Sequence, residues 1–207
     1  MDPITTRATL VAAALETLDR SDLASAVPVW IRLAEAILNR TLDDLEMHAC
    51  VTAQTDRIRT ALPSDWVQSD RIEVVSTSPK VPLKYCEPHA LAHYRANSTP
   101  GIPEWYTYIG RHIEFDREPD GIISVKIDYK RKLALADTSG ATNWLLTSHP
   151  DAYLYGTLVH SAPYLKNDPR LSMWSSMSSS VIEQINARHE RAKVSGARLN
   201  RSGGLST

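Results

Sequence analysis

Apolar positions along this chain keep two different rhythms, one at each end and another in the middle. Val11, Ala14, Leu15 and Leu18 fall at i, i+3, i+4 and i+7, which places them on one face of a first helix. A break over Arg20 to Ala26 follows, and Pro28 suits the first turn of a second helix, where its missing N–H costs nothing. Trp30, Leu33, Ala34, Ile37 and Leu38 form that helix's apolar stripe, with Arg32, Glu35 and Arg40 off it. Between residues 63 and 140 the pattern changes. Seven of the twelve prolines lie from Pro63 to Pro119 and four of the eight glycines from Gly101 to Gly140, so turns replace long helices there. Ile123, Val125, Ile127 and Tyr129 alternate with polar residues as in a half-buried strand. Tyr106 and Tyr108, then Ile113 and Phe115, alternate around Gly110-Arg111 and predict a hairpin. Glu46 to Arg57 and Arg71 to Ser76 are weaker strand candidates, and Glu87 to Arg95 reads as a short helix.

Helical spacing returns at Ser148. Ser148 and Asp151 have the spacing of a capping box, with Pro150 in the first turn. From Ala152 to Ala162 the chain is apolar or small nearly all round, as expected of a helix buried inside the fold or between subunits. Asp168 is the expected N-cap of a last helix with Leu171, Trp174, Met177, Val181 and Ile185 along it. The serines between Ser175 and Ser180, with Met177 among them, fit that helix's outer face. These elements define an α+β protein: a helical bundle of about four helices with an inserted antiparallel β-subdomain and a flexible C-terminal arm. The expected boundaries are 1–44 and 141–192 for the bundle, 45–140 for the insert and 193–207 for the arm.

Composition narrows the chemistry. With 43% hydrophobic and 23% charged residues the chain is an ordinary soluble globular protein, and a net charge of −1 predicts no general affinity for nucleic acid or membrane. The charge is uneven, because beyond Asn186 the chain carries Arg188, Arg191, Lys193, Arg198 and Arg201 against Glu190 alone. A Gly/Ser-containing basic end of this kind is expected to lack structure on its own and to order on docking to an acidic protein surface. Its lack of interleaved aromatics argues against single-strand binding, although transient contact with DNA phosphates fits its charge. Two cysteines, Cys50 and Cys86, make no disulfide framework and point to a reducing compartment. The start has no signal-peptide pattern and no stretch is long enough to span a bilayer, so synthesis in a cytoplasm is expected.

Catalytic chemistry finds little support. No phosphate loop, dinucleotide fingerprint or nucleophile elbow occurs, and no cofactor is implied. Cys86, His89 and His93 have spacing that could offer three ligands to zinc, but no fourth ligand and no H-E-x-x-H accompany them. Glu114 with Asp116, or Asp65 with Asp70, could form an acid–base pair, yet alternating acids on a strand are more often a solvated face. The expectation is no catalytic residue and no metal.

The residues carry one resemblance. Asn143-Trp-Leu-Leu-Thr-Ser-His-Pro-Asp-Ala-Tyr-Leu-Tyr-Gly-Thr-Leu158 resembles the WLL…PD.YLYG.L segment of head-to-tail adaptor (connector, or neck) proteins of tailed bacteriophages. Other matches follow in order: the helix Pro28 to Arg40, the turn Leu62-Pro-Ser-Asp-Trp66, the passage Gly101 to Gly110, and the link Ala162 to Asp168. Lys130-Arg131-Lys132 departs from the pattern, where a more aromatic stretch belongs. The resemblance implies a structural virion protein of the neck, a dodecameric ring between the portal and the tail or nozzle proteins that extends the DNA channel. It further implies a C-terminal segment that reaches onto the portal, and no membrane. Two other readings are a tail-associated peptidoglycan-degrading enzyme and a DNA-binding accessory factor acting through the basic tail.

Overall fold

In the computed structural model the chain is described over residues 3–96, 98–166 and 168–202, the stretch 193–202 by its backbone. It divides into two compact units, one made of the residues up to Glu46 with those from Leu133 onward, the other Met47–Lys132. The fold is α+β, as the two rhythms of the sequence require.

The first unit is helical. Helix α1, Arg7–Leu18, starts in a capping box in which Thr6 Oγ1 accepts from Thr9 N and Thr9 Oγ1 accepts from Thr6 N. It ends at Asp19, whose φ of 54° is left-handed. Helix α2, Val27–Thr41, has its proline in the first turn as expected. Two short helices follow the β-unit, α4 (Trp144–Ser148) and α5 (Pro150–Val159), before the long α6 (Arg170–Ser202). The second unit contains the nine-residue helix α3, Pro88–Ala96. Ser148 does not cap a helix. It is the last residue of α4, while Asn143 Oδ1 accepts from Leu146 N at 2.9 Å and starts that helix. Asp168 holds the start of α6, its Oδ1 accepting from Arg170 N at 2.9 Å.

Residues 133–141 belong with the helices rather than with the β-insert expected to reach 140. Asn39 pairs with both backbone groups of Leu133 (2.7 and 2.8 Å), and Leu133 and Leu135 are buried. Ala141 O and Ser139 O accept from the N–H groups of Arg7 and Ala8, two donors that the first turn of a helix leaves unpaired. Asp137 bridges Arg7 and Arg32.

The second unit is two four-stranded sheets over one core. The first has the order β1 (His48–Thr55), β8 (Ile123–Arg131), β3 (Trp66–Val74), β4 (Val81–Pro82), all antiparallel. The second has the order β2 (Arg59–Ala61), β7 (His112–Phe115), β6 (Trp105–Ile109), β5 (Lys84–Tyr85), with only the β5–β6 pair parallel. Gly110 makes the β6–β7 turn at φ 59°, a conformation that favours glycine. Inward residues of β8 (Ile123, Val125, Ile127, Tyr129) meet Ile72, Val74, Ile113 and Phe115 in a single cluster.

Candidate assembly interface

The segment that most resembles the adaptor pattern lies inside the helical unit. Helix α5 packs against α1, α2, α4 and α6. Ala152, Tyr153, Thr157 and Leu158 have no exposed surface. Burying Leu158 and Tyr153 contributes about 2–3 kcal/mol each. Gly156 lets α2 come close, since a Cβ there would sit 3.3 Å from the Ala34 Cβ. The Tyr153 hydroxyl accepts from Asn143 Nδ2 (2.6 Å) and donates to Glu35 Oε1 (3.0 Å), tying α5 to the α4 cap and to α2. Burial and the nearby Glu35 carboxylate push the Tyr153 hydroxyl pKa far above its ordinary value, so it stays a neutral donor. One side of this helix is thus buried inside the fold, while Leu154, Tyr155 and Val159 are half-buried.

Helix α6 starts packed and continues as a basic rod. Trp174, Ile185 and His189 are buried, and Arg170 lies over the Trp174 ring at 5.1 Å while reaching Thr17 O at 3.1 Å. Asn186 Nδ2 donates to Thr41 O (2.9 Å), and Asn186 Oδ1 accepts from Asp43 N (2.8 Å). His189 Nε2 lies 3.5 Å from Asp43. Past this clamp Arg188 and Arg191 are exposed, and the backbone of Lys193, Arg198 and Arg201 continues the helix. The composition of 193–207 leads one to expect no structure. As far as Ser202 the chain is instead helical, because the packed front half removes the cost of nucleation and each further residue adds a hydrogen bond. Residues 203–207 lie outside the described residues.

The apolar stripes are narrower than the spacing suggests. On α1 the buried residues are Leu10, Ala13, Ala14 and Leu18, while Val11 and Leu15 are half-buried. On α2 Leu33 is 45% and Val29 56% exposed, and on α6 Met173 and Met177 are also exposed. Tyr164 of the same unit is 49% exposed.

The candidate catalytic carboxylates all have partners. Glu114 is buried and receives Arg59 and Arg95. Asp116, fully buried, accepts from the N–H groups of Glu104 and Trp105 at 3.0 Å and from Arg117 Nε at 2.8 Å. Asp65 accepts from the Tyr129 hydroxyl (3.1 Å), and Asp70 meets His48 Nδ1 (2.7 Å). Each carboxylate is engaged by partners within its own unit. Nor do the thiol and imidazoles converge. Cys86 is buried with its thiol donating to Tyr106 O, and burial raises its pKa, whereas His89 is exposed beside Glu87. His93 lies against Tyr94, and these three residues make no group with donor atoms within 4.8 Å of one another among the described residues. No helix among the described residues is long and apolar enough to cross a membrane.

The family described as SU10 adaptor protein has a model that matches residues 5–202 of the chain. No curated protein matches it.

Proposed function

We propose, for a chain that belongs to the SU10 adaptor protein family over residues 5–202, an assembly role finer than the family alone fixes. Membership makes it a structural protein of the phage head-to-tail junction, one that oligomerises and meets portal and tail proteins. The finer reading is a ring, of twelve copies by resemblance, that joins the portal to the tail and extends the DNA channel.

The observation that carries it is α6. A helix of 33 residues is far longer than its buried contacts at Trp174, Ile185 and His189 require. At about 100° per residue, positions 188, 191, 198 and 201 fall within about 140° of the helix circumference, opposite Ile185 and His189, with position 193 outside that sector. A rod anchored by Asn186, with Arg188 and Arg191 exposed and further basic residues along its sequence, is suited to dock on an acidic protein surface, here assigned to the portal. Transient contact with DNA in the channel is compatible with the same charge. The partnered state of Glu114, Asp116, Asp65 and Asp70 supports a packing role for these acids.

Negative-stain electron microscopy of the chain mixed with a portal ring tests this reading. The expected result is an added ring of density on the portal that is lost when residues 188–207 are deleted. A truncated chain that still decorates the portal removes the arm from the account.

A further inference from the structure

Two exposed features of opposite charge remain, one in each unit. The first is a groove of about 660 Å³ in the helical unit, where the end of α1 faces the link into α6. Tyr164, 49% exposed, Leu165 and Pro169 supply its apolar side. Arg20, Lys166 and Arg170 supply its cations, against the single carboxylate of Asp168. Arg20 is held by Asp22 and Arg170 by Asp168, both at 2.7 Å. Lys166 is exposed and has no acid within reach among the described residues, so it is the charge left to recruit a ligand.

The second feature is the connection from β7 to β8. Glu118 and Asp120 are exposed there, with no basic partner among the described residues. Ile122, at 72%, is the most exposed of the large apolar side chains described. The loop has a fixed base: Pro119 is buried and Glu118 O accepts from Gly101 N at 2.9 Å. Five residues thus present two carboxylates and one apolar knob, the complement in charge and polarity of a groove with a spare lysine beside a tyrosine.

We propose that the 118–122 loop of one copy docks in this groove of a second copy, with an acid of the loop on Lys166 and Ile122 against Tyr164. The proposal rests on the oligomeric reading above and names a surface for it. Because the two patches differ, the contact is head-to-tail and propagates from copy to copy, closing into a ring or extending as a filament. An isologous dimer does not arise from it.

The experiment uses the full-length chain, as an equal mixture of ¹⁵N-labelled and unlabelled protein assembled on portal rings. Zero-length carbodiimide coupling is mapped by mass spectrometry, and the assembled fraction is measured by mass photometry. Mixed-isotope links between Lys166 and Asp120 or Glu118 are expected. Lys166→Glu and Asp120→Lys are each expected to lower the assembled fraction on the order of tenfold, and the double variant to restore it. Thermal melting shows whether each variant is folded, and Lys166→Ala replaces Lys166→Glu if that one is not. Normal oligomers from both single variants, without the mixed link, overturn the proposal and leave the ring intact. Variants that keep self-association yet lose a tail protein overturn it too, in favour of that protein as occupant. No oligomer on the portal at all overturns both the contact and the ring.

Discussion

Asn186 and Asp43 are joined side chain to backbone, and through that bond α6 holds the end of α2. Asn186 Oδ1 accepts from Asp43 N while its Nδ2 donates to Thr41 O, so one amide satisfies a donor and an acceptor that the helix end leaves over. Replacing Asn186 by Ala is expected to cost about 1–3 kcal/mol in urea unfolding. Hydrogen exchange in α6 beyond residue 186 is expected to speed up more than exchange in α5. Equal protection of both helices contradicts the clamp.

Tyr153 offers a second test of the helical core. In Tyr153→Phe the ring volume stays, but Asn143 Nδ2 keeps only its longer bond to Ala134 O (3.2 Å) and Glu35 loses the hydroxyl donor. A loss of about 1–3 kcal/mol is expected by denaturant titration, with no change in m-value.

Gly156 separates two effects of opposite sign. Alanine gains about 1 kcal/mol of helix propensity but meets the Ala34 Cβ at 3.3 Å, so Gly156→Ala is expected to be near neutral. Valine adds bulk that α2 must make room for, and Gly156→Val is expected to cost about 1–3 kcal/mol. Equal thermal stability of the two variants contradicts the close approach.

In the β-unit, Asp116→Ala removes a buried acceptor of two backbone N–H groups and of Arg117. A loss of about 3–5 kcal/mol is expected, measured on the full chain by a spectroscopic probe of the β-unit.

The pH dependence has a defined sign at His160. Burial lowers its pKa below the ordinary 6.5, so the unfolded chain binds the proton more readily than the folded one. Its contribution to stability is present above about pH 6.5 and is lost as the pH falls from there toward the lowered folded value. His160→Gln is expected to flatten the stability profile in that interval, read from melting temperatures at graded pH.

Much of the fold was legible where a local rule decides the structure. The alternation from Ile123 to Tyr129 is strand β8, and Gly110 makes the turn between β6 and β7. Strand β3 was read only from Arg71 because two register shifts, between Trp66 and Gln68 and between Ser69 and Arg71, reset its alternation. The phase of the α1 stripe was less legible, since Leu10 and Ala13 face the core in place of Val11 and Leu15, and only the packing partner selects between such faces. The Asn143 cap was missed because Ser148-His-Pro-Asp151 carries a stronger local signal for a helix start. Asn186 had no signal at all. An amide on a polar helix face looks solvated until the fold brings it to Thr41, 145 residues away. The arm residues were legible as charge, and the continuation of α6 through 193–202 was not, because propagation depends on the packed turns before it.

We propose that this adaptor-family chain forms a ring on the portal, held there by the basic end of α6. Native mass spectrometry of portal rings incubated with excess full-length chain measures it most directly. The predicted result is one mass step corresponding to a complete ring of twelve added copies, abolished by deleting residues 188–207. Portal rings that retain their own mass at saturating chain, or that bind copies one at a time without closing a ring, contradict this assembly.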